Sequence, residues 1–232
     1  MRLNRFFFPY NFSAPFITIR DKKFIHQLRN VLRIKEEQEI LLFNNKEEAL
    51  AIVRTLRRGF IELEIKERRK NLVEPQKYVI LYCALLKKGN FELVVQKTTE
   101  IGVKEIVPLL TKRTIKQALK RERLERIIKE AAEQSGRGTV PLLDNPLSFS
   151  EALRYAATNE ANYFFDREGE LFSSSLVKGK KKIGVFIGPE GGWSAEEKEL
   201  ARKNKFIICS LGKLTFRAET AAIISSYLAI YN

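Results

Sequence analysis

Two segments near the C-terminus limit what this chain can fold into: Ile187 to Glu197 (I-G-P-E-G-G-W-S-A-E-E) and Leu211 to Ala222 (L-G-K-L-T-F-R-A-E-T-A-A). Each joins an apolar, strand-like run to an amphipathic helical pattern through a glycine-bearing loop. Repeated strand–loop–helix units call for a parallel sheet with helices on its faces, and such sheets take their ligands at the carboxyl ends of the strands. The rhythm extends back to Tyr78. Strand Tyr78–Leu86 leads to helix Asn90–Ile101, and strand Glu105–Leu110 leads to a long helix from about Gln117 to Ser135. A helix over Ser148–Ala157, opened by a Ser148/Glu151 capping box, and a strand over Asn162–Phe165 come next.

The chemistry of the first loop follows from its residues. Ile183 to Ile187 is apolar and β-branched, which predicts a buried strand. Ser194 and Glu197 form a capping box for a helix running to about Asn204. Gly188, Gly191 and Gly192 are expected to permit positive φ and close approach to a ligand. The loop holds Glu190 and no Lys or Arg, and neither G-x-x-x-x-G-K-[ST] nor G-x-G-x-x-G occurs in the chain. A polyphosphate would meet like charge, so a neutral or cationic ligand fits better than a phosphate. An ordinary strand–turn–helix connection is the alternative for this loop taken alone.

The second loop weighs against that alternative. Phe206 to Leu211 is another apolar strand, closed by Gly212, and helix begins near Arg217 with Ala221, Ala222, Ile224 and Leu228 expected on its buried face. Glu219 suits a helix N-terminus on dipole grounds alone. Arg217 does not, which predicts a partner or a role for it.

Residues 1–70 are organised differently. A short helix from Asp21 to about Leu32 presents Phe24, Leu28 and Val31 on one face, and strands are expected at Phe16–Ile19, Glu39–Phe43, Leu50–Thr55 and Phe60–Ile65. Turns at Asn44–Lys46 and Arg57–Gly59 make this a small, mostly antiparallel barrel or sheet. The charged stretch Lys66 to Pro75 is the expected linker, giving domains 1–70 and 71–232.

The formal net charge is +14, with +7 in residues 1–72 and +7 in residues 73–232, so the first part is the more basic per residue. That is the electrostatic footprint of a nucleic-acid partner. No run approaches the roughly 18 apolar residues of a membrane span, and Pro9, Tyr10 and Asn11 cut the Phe6–Phe8 run too short for a signal peptide. The expected partners therefore include no membrane. Cys83 and Cys209 lie in apolar strand runs, which points to a reducing cytoplasm, and two Cys with one His do not make a zinc site. His26 reads as a surface or capping group.

At these residues the chain resembles the bacterial ribosomal RNA methyltransferases of the SPOUT class that modify N3 of a uridine in small-subunit (16S) rRNA. Ile187 to Gly192 matches the family's I-G-P-E-G-G. Leu211, Gly212 and Arg217 to Ala221 follow its L-G-x-x-x-L-R-x-E-T-A, with Phe216 at the usual Leu and Ala218 at the usual Thr. Upstream, Gln96 to Val103 resembles Q-K-x-x-E-L-G-V, and Glu130 to Arg137, followed by Pro141, resembles E-A-x-E-Q-S-x-R. Arg5-Phe6-Phe7 and His26 with Val31-Leu32-Arg33 match weaker signatures, and the family's Gly-Asp that follows them is replaced by Glu36-Glu37-Gln38.

The resemblance implies an α/β fold: a C-terminal SPOUT-type trefoil-knotted parallel sheet flanked by helices, preceded by a small PUA-like β-barrel that binds RNA. It implies a homodimer using S-adenosylmethionine, with 16S rRNA of the assembled small subunit as substrate. Cofactor contacts would come from Ile187, Gly188, Pro189, Glu190, Gly191, Gly192, Leu211, Gly212, Leu214, Phe216, Thr220 and Ala221. Arg217 would stabilise the uridine anion beside O2 or O4, and Glu219 or water would take the N3 proton. RNA contacts are expected from Arg2, Arg5, Arg29, Arg33, Lys112, Arg113 and Arg137. The acids interleaved with bases on the long helix read instead as a solvated, salt-bridged face, and Lys178 to Lys182 reads as a solvated turn. Two other readings stand beside this one. The first is a non-catalytic rRNA-binding or assembly factor that kept the fold; the second is a nucleotide-using α/β enzyme, which the acidic loop disfavours.

Overall fold

The computed structural model describes residues 3–71, 73–87, 89–115 and 118–232. The chain divides into two compact units, Met1–Glu74 with Ala132–Val140, and Pro75–Ala131 with Pro141–Asn232. Residues 71–74 thus belong with the first unit. So does the segment after the long helix, which the expected 1–70 and 71–232 halves had placed in the second.

The first unit is a five-stranded sheet. Strands β1 (Arg5–Phe7), β2 (Phe16–Ile19), β3 (Glu39–Phe43), β4 (Glu47–Leu56) and β5 (Ile61–Lys70) lie in the order β1-β3-β4-β5-β2. All pairs are antiparallel except β1 with β3. Phe6, Phe12, Phe24, Leu28, Ile40, Leu42, Ile61 and Leu63 fill the core. Lys66 to Lys70 is the end of β5 and not linker. Its charges pair across the strands, with Arg69 opposite Glu48 and ion-paired to it.

Helix α1 (Lys22–His26) is capped by the Asp21 carboxylate, which accepts from the Lys23 and Phe24 N–H groups. The chain then widens into a π-helical turn over Gln27–Val31. This extra residue per turn rotates Val31 out to 64% exposure, while Ile25 takes a buried place beside Phe24 and Leu28. The segment Ala132–Val140 is tied into this unit. Glu133 accepts from the Phe7 N–H at 2.9 Å, and Asn45 Oδ1 accepts from the Val140 N–H at 2.8 Å.

The second unit is a parallel sheet. It comprises β6 (Tyr78–Ala84), α2 (Asn90–Ile101), β7 (Glu105–Leu110), α3 (Arg121–Ser135), β8 (Leu142–Leu143), β9 (Leu147–Ser148), α4 (Phe149–Ala156), β10 (Ala161–Leu171), α5 (Ser174–Val177), β11 (Lys182–Ile187), α6 (Ala195–Lys203), β12 (Ile207–Ser210) and α7 (Ala218–Tyr231). The last turn of α3 belongs to the first unit. The order is β12-β10-β11-β6-β7-β8, with β9 also on β7, and every pairing is parallel. Strands β6 and β11 are buried along almost their whole length, as their unbroken apolar runs require. Both predicted capping boxes, Ser148/Glu151 and Ser194/Glu197, are formed.

Several elements depart from expectation. The long helix begins at Arg121, and the expected start at Gln117 lies outside the described residues. Its exposed face carries the ion pairs Arg121–Glu125 at 2.8 Å and Arg123–Glu92 at 2.6 Å, the solvated character its sequence predicts. Strand β10 runs on to Leu171. Helix α7 buries Glu219, Ala222, Ser225, Ser226, Ala229 and Ile230. Ala221, Ile224 and Leu228, expected inward, are only half-buried. Small side chains let α7 lie close to α2, β6 and β11, and that shifts the inward face by about one position.

Candidate active site

Because the strands are parallel, their carboxyl ends share one edge, and a cavity of about 1070 Å³ opens there. Its walls are the ends of β10, β11 and β12, the turns after β6 and β7, and the first turn of α7. The loop after β11 is built around Trp193. That ring is 3% exposed, stacks on Phe164 with centroids 4.4 Å apart, and donates its indole N–H to the Phe165 carbonyl at 3.0 Å. Gly188 makes room for it, since a Cβ there would stand 2.9 Å from the Trp193 ring. Pro189 to Gly192 closes a turn with Gly192 at φ +69. Of the three loop glycines, only Gly192 needs a positive φ; the role of Gly188 is close approach.

Two neighbouring segments brace this loop. The Glu190 carboxylate accepts from the Lys87 N–H at 2.9 Å, and the Arg113 guanidinium donates to the Gly191 carbonyl at 2.7 Å. Glu197, 6% exposed, serves twice: one oxygen completes the capping box with the Ser194 N–H, and the other accepts from the Lys112 N–H at 2.9 Å. The turn that carries Arg113 is thereby fixed to the start of α6.

The loop after β12 passes through Gly212 and reaches α7 at Arg217, its N-cap. Arg217 is exposed to the cavity and makes no hydrogen bond or ion pair through its guanidinium among the described residues. Glu219 is 7% exposed, and its Oε2 is buried without a hydrogen-bond partner. A buried carboxylate oxygen without a donor is costly unless something else meets it. Cys209 also lines the cavity, and burial pushes its thiol up to about 12. Burial, then Glu190 and Glu219, push the Cys83 thiol up further. Both sulfurs are neutral and unreactive near neutral pH. Among the described residues, no group of three or more His, Cys, Asp or Glu is placed to hold a metal ion.

Comparison with known proteins bears on the same residues. A family model described as an RNA methyltransferase domain matches residues 73–229. Ribosomal RNA small subunit methyltransferase E of Mesomycoplasma hyopneumoniae is 33% identical over 199 residues, covering 83% of this chain and 85% of that protein. Its counterpart of the same description in Bacillus subtilis is 32% identical over 232 residues, covering 91% and 88%. The chain belongs to this family. A crystal structure of the family's Neisseria gonorrhoeae member, bound to S-adenosyl methionine, superposes with a TM-score of 0.88 at 28% identity, covering 97% of this chain and 95% of that one.

Most positions expected to hold the cofactor or carry the chemistry meet at the cavity. Ile187, Gly188, Pro189, Glu190, Gly192, Leu211, Gly212, Leu214, Phe216, Arg217, Glu219 and Ala221 all line it. Gly191 contributes its carbonyl to Arg113 and Thr220 is not in the lining. Trp193 and the Asp166–Glu168 segment of β10 are lining residues that the motifs did not single out.

The expected RNA contacts fare less evenly. Arg137 is 5% exposed and bound to Glu74 at 2.8 Å. Arg5 pairs with the buried Glu48 at 2.9 Å and donates to the Arg137 carbonyl at 3.0 Å. Both side chains are engaged in holding the first unit together, which argues against their use as RNA contacts. Arg113 belongs to the cavity, and Lys112 pairs with Glu196 at 2.9 Å, holding that carboxyl down to about 2. Arg29 and Arg33 border a shallow pocket with Lys35 and Arg57, Arg33 at φ +52. Arg2 lies outside the described residues.

Proposed function

We propose that this chain methylates N3 of a uridine in small-subunit (16S) ribosomal RNA, with S-adenosylmethionine as methyl donor. The observation that carries the reading is the meeting of both glycine-bearing loops on one cavity, with an unpartnered guanidinium and an unpartnered buried carboxylate oxygen on the first turn of α7. The glycine-bearing loop that the family pattern marks carries Glu190 and no cation, so a sulfonium can lie against it without meeting like charge there. When bound, it supplies an electrophilic methyl group on a sulfonium.

The chain's own residues would do the rest. Ile187 to Gly192 and Leu211 to Phe216 form the walls against which donor and base are held. Uracil N3–H lies between two carbonyls and must lose its proton before nitrogen can attack. Arg217 favours the resulting anion by placing positive charge near O2 or O4. Glu219 accepts the proton. Trp193 and Phe165 keep the inner wall apolar, which strengthens both interactions.

Finer features belong to the same reading. The trefoil knot is supported by the sheet order, which returns β11 to a place between β10 and the earlier β6. A PUA-like role for the first unit is supported by its mostly antiparallel sheet and by the Arg29–Arg33 patch. Homodimerisation is supported by α7, which leaves Tyr227 and Tyr231 54% and 56% exposed beside half-buried Ile224 and Leu228. Action on an assembled subunit in the cytoplasm completes the proposal. Among the described residues, no helix is long and apolar enough to cross a membrane.

Calorimetric titration with S-adenosylmethionine, with ATP and NAD in parallel, tests the donor assignment. Binding of the methyl donor alone, at about micromolar Kd, is expected. RNA affinity without donor binding would favour the assembly-factor reading, and ATP or NAD binding the nucleotide-enzyme reading.

A further inference from the structure

Strand β10 leaves its neighbour for four residues. Phe165 and Glu170 both pair with Cys209 of β12, so Asp166 to Gly169 stand out of the ladder at the carboxyl edge. Gly169 permits this, since a Cβ there would meet the Cys209 backbone at 2.5 Å. The Asp166 carboxylate accepts the Glu168 N–H at 3.0 Å and closes the turn. Lys198 of α6 then takes both acids, Asp166 and Glu168, at 3.0 Å each. Burial alone would lower the Lys198 ammonium, but the two carboxylates outweigh it and hold the pKa above the ordinary lysine value.

Between the two acids stands Arg167. It is exposed, lines the cavity and makes no ion pair or hydrogen bond through its side chain among the described residues. The carboxylates on either side of it pair with Lys198, which leaves its guanidinium free of an ion pair and able to turn toward the cavity mouth. Two further exposed cations line the cavity from other strand ends, Lys213 after β12 and Lys87 after β6.

We propose that Asp166–Gly169 is a phosphate-binding tip for the RNA substrate, in which Arg167 grips the backbone phosphate beside the nucleotide whose base enters the cavity. Lys213 and Lys87 meet neighbouring phosphates. This rests on the methyltransferase reading and adds the surface by which the nucleotide is held. N3 lies on the Watson–Crick edge, so the base must be unpaired and turned into the enzyme. A cavity of about 1070 Å³ is at the upper end for a single small ligand, which leaves space for a base beside the donor. An inserted base leaves its phosphates at the mouth, and a guanidinium binds phosphate with two parallel hydrogen bonds. Such a contact positions the strand and carries no sequence preference.

The test compares wild type with Arg167→Gln, the conservative Arg167→Lys, and Arg202→Gln, which removes an exposed α6 cation outside the cavity. Transcribed small-subunit rRNA is the probe for binding, and small ribosomal subunits for turnover. Arg167→Gln is expected to weaken RNA binding about tenfold and to reduce the salt slope by about 0.7, the share of one phosphate contact on a single strand. KM for subunits should rise while kcat and the donor Kd stay within about twofold. Arg167→Lys should recover part of the loss, and Arg202→Gln should behave as wild type. Unchanged RNA affinity and salt slope would overturn the tip, as would a weaker donor Kd in their place, which would assign the guanidinium to the donor's carboxylate. If wild type itself neither binds the donor nor transfers methyl, the methyltransferase reading falls and the tip with it. If wild type transfers methyl and Arg167→Gln equals it, the tip alone falls.

Discussion

Arg217 and Glu219 share the first turn of α7 but meet different surroundings. The guanidinium projects from the N-cap position, where the helix dipole opposes it. The carboxyl is 7% exposed with one oxygen unpartnered, an arrangement that costs about 1–3 kcal/mol unless a ligand group meets it. Neither placement is explained by stability; in the proposed reaction both would serve a substrate that becomes an anion by losing a proton. Arg217→Ala is expected to lower kcat by about 10²–10³ while donor Kd moves less than about threefold, as for loss of one anion-stabilising donor. Glu219→Gln keeps the shape but cannot take a proton. It should lower kcat by about 10²–10⁴. Single-turnover kinetics with saturating donor measures both; a fully active Arg217→Ala would dismiss the assignment.

The elements divide their polar groups between two edges of the parallel sheet. The cavity and its glycine-bearing loops lie at the carboxyl edge, while Glu105 at the start of β7 is the buried centre of a separate, partly exposed cluster. The Tyr78 and Tyr155 hydroxyls donate to Glu105 at 3.0 and 2.6 Å. Burial, then the neighbouring Glu105 carboxyl, raises the Asp144 carboxyl to about 6, partly offset by Arg121. A carboxyl raised in the folded state binds its proton there more tightly than in the unfolded chain. Its contribution is fully present below the unfolded value near 3.8 and is lost as pH rises toward about 6. Asp144→Asn should therefore raise Tm relative to wild type more at pH 7.5 than at pH 4. Equal shifts at both pH values, read by scanning calorimetry, would rule out the raised Asp144 carboxyl.

At this scale the sequence was informative where an element is decided locally. The β–α rhythm, both capping boxes and the two glycine-bearing loops were legible because spacing and cap chemistry lie within a few residues of one another. Long-range partners were not. Arg137 reads as a loop cation until Glu74, 63 residues earlier, is found beneath it. The Asp166–Gly169 tip was not singled out beyond a strand ending at Phe165, because the lysine that holds its acids comes 30 residues after Glu168. The inward face of α7 was misplaced because Ser225, Ser226 and Ala229, and not Ile224 or Leu228, fit against its neighbours.

The whole molecule joins a basic, mostly antiparallel unit to a parallel α/β unit of a known RNA methyltransferase family, and a net charge of +14 suits a polyanionic substrate. The allocation of Ala132–Val140 to the first unit shows why the E-A-A-E-Q-S-G-R motif spans a helix end: its Glu133 and Arg137 bind within that unit. The most direct test of the account is to incubate the protein with S-adenosylmethionine and small ribosomal subunits lacking the mark, then digest the rRNA and identify the modified nucleoside by mass spectrometry. The account predicts 3-methyluridine at a single site, dependent on the donor and lost with Arg217→Ala. Donor binding without any methylated nucleoside, or a methyl group on another atom, would contradict it.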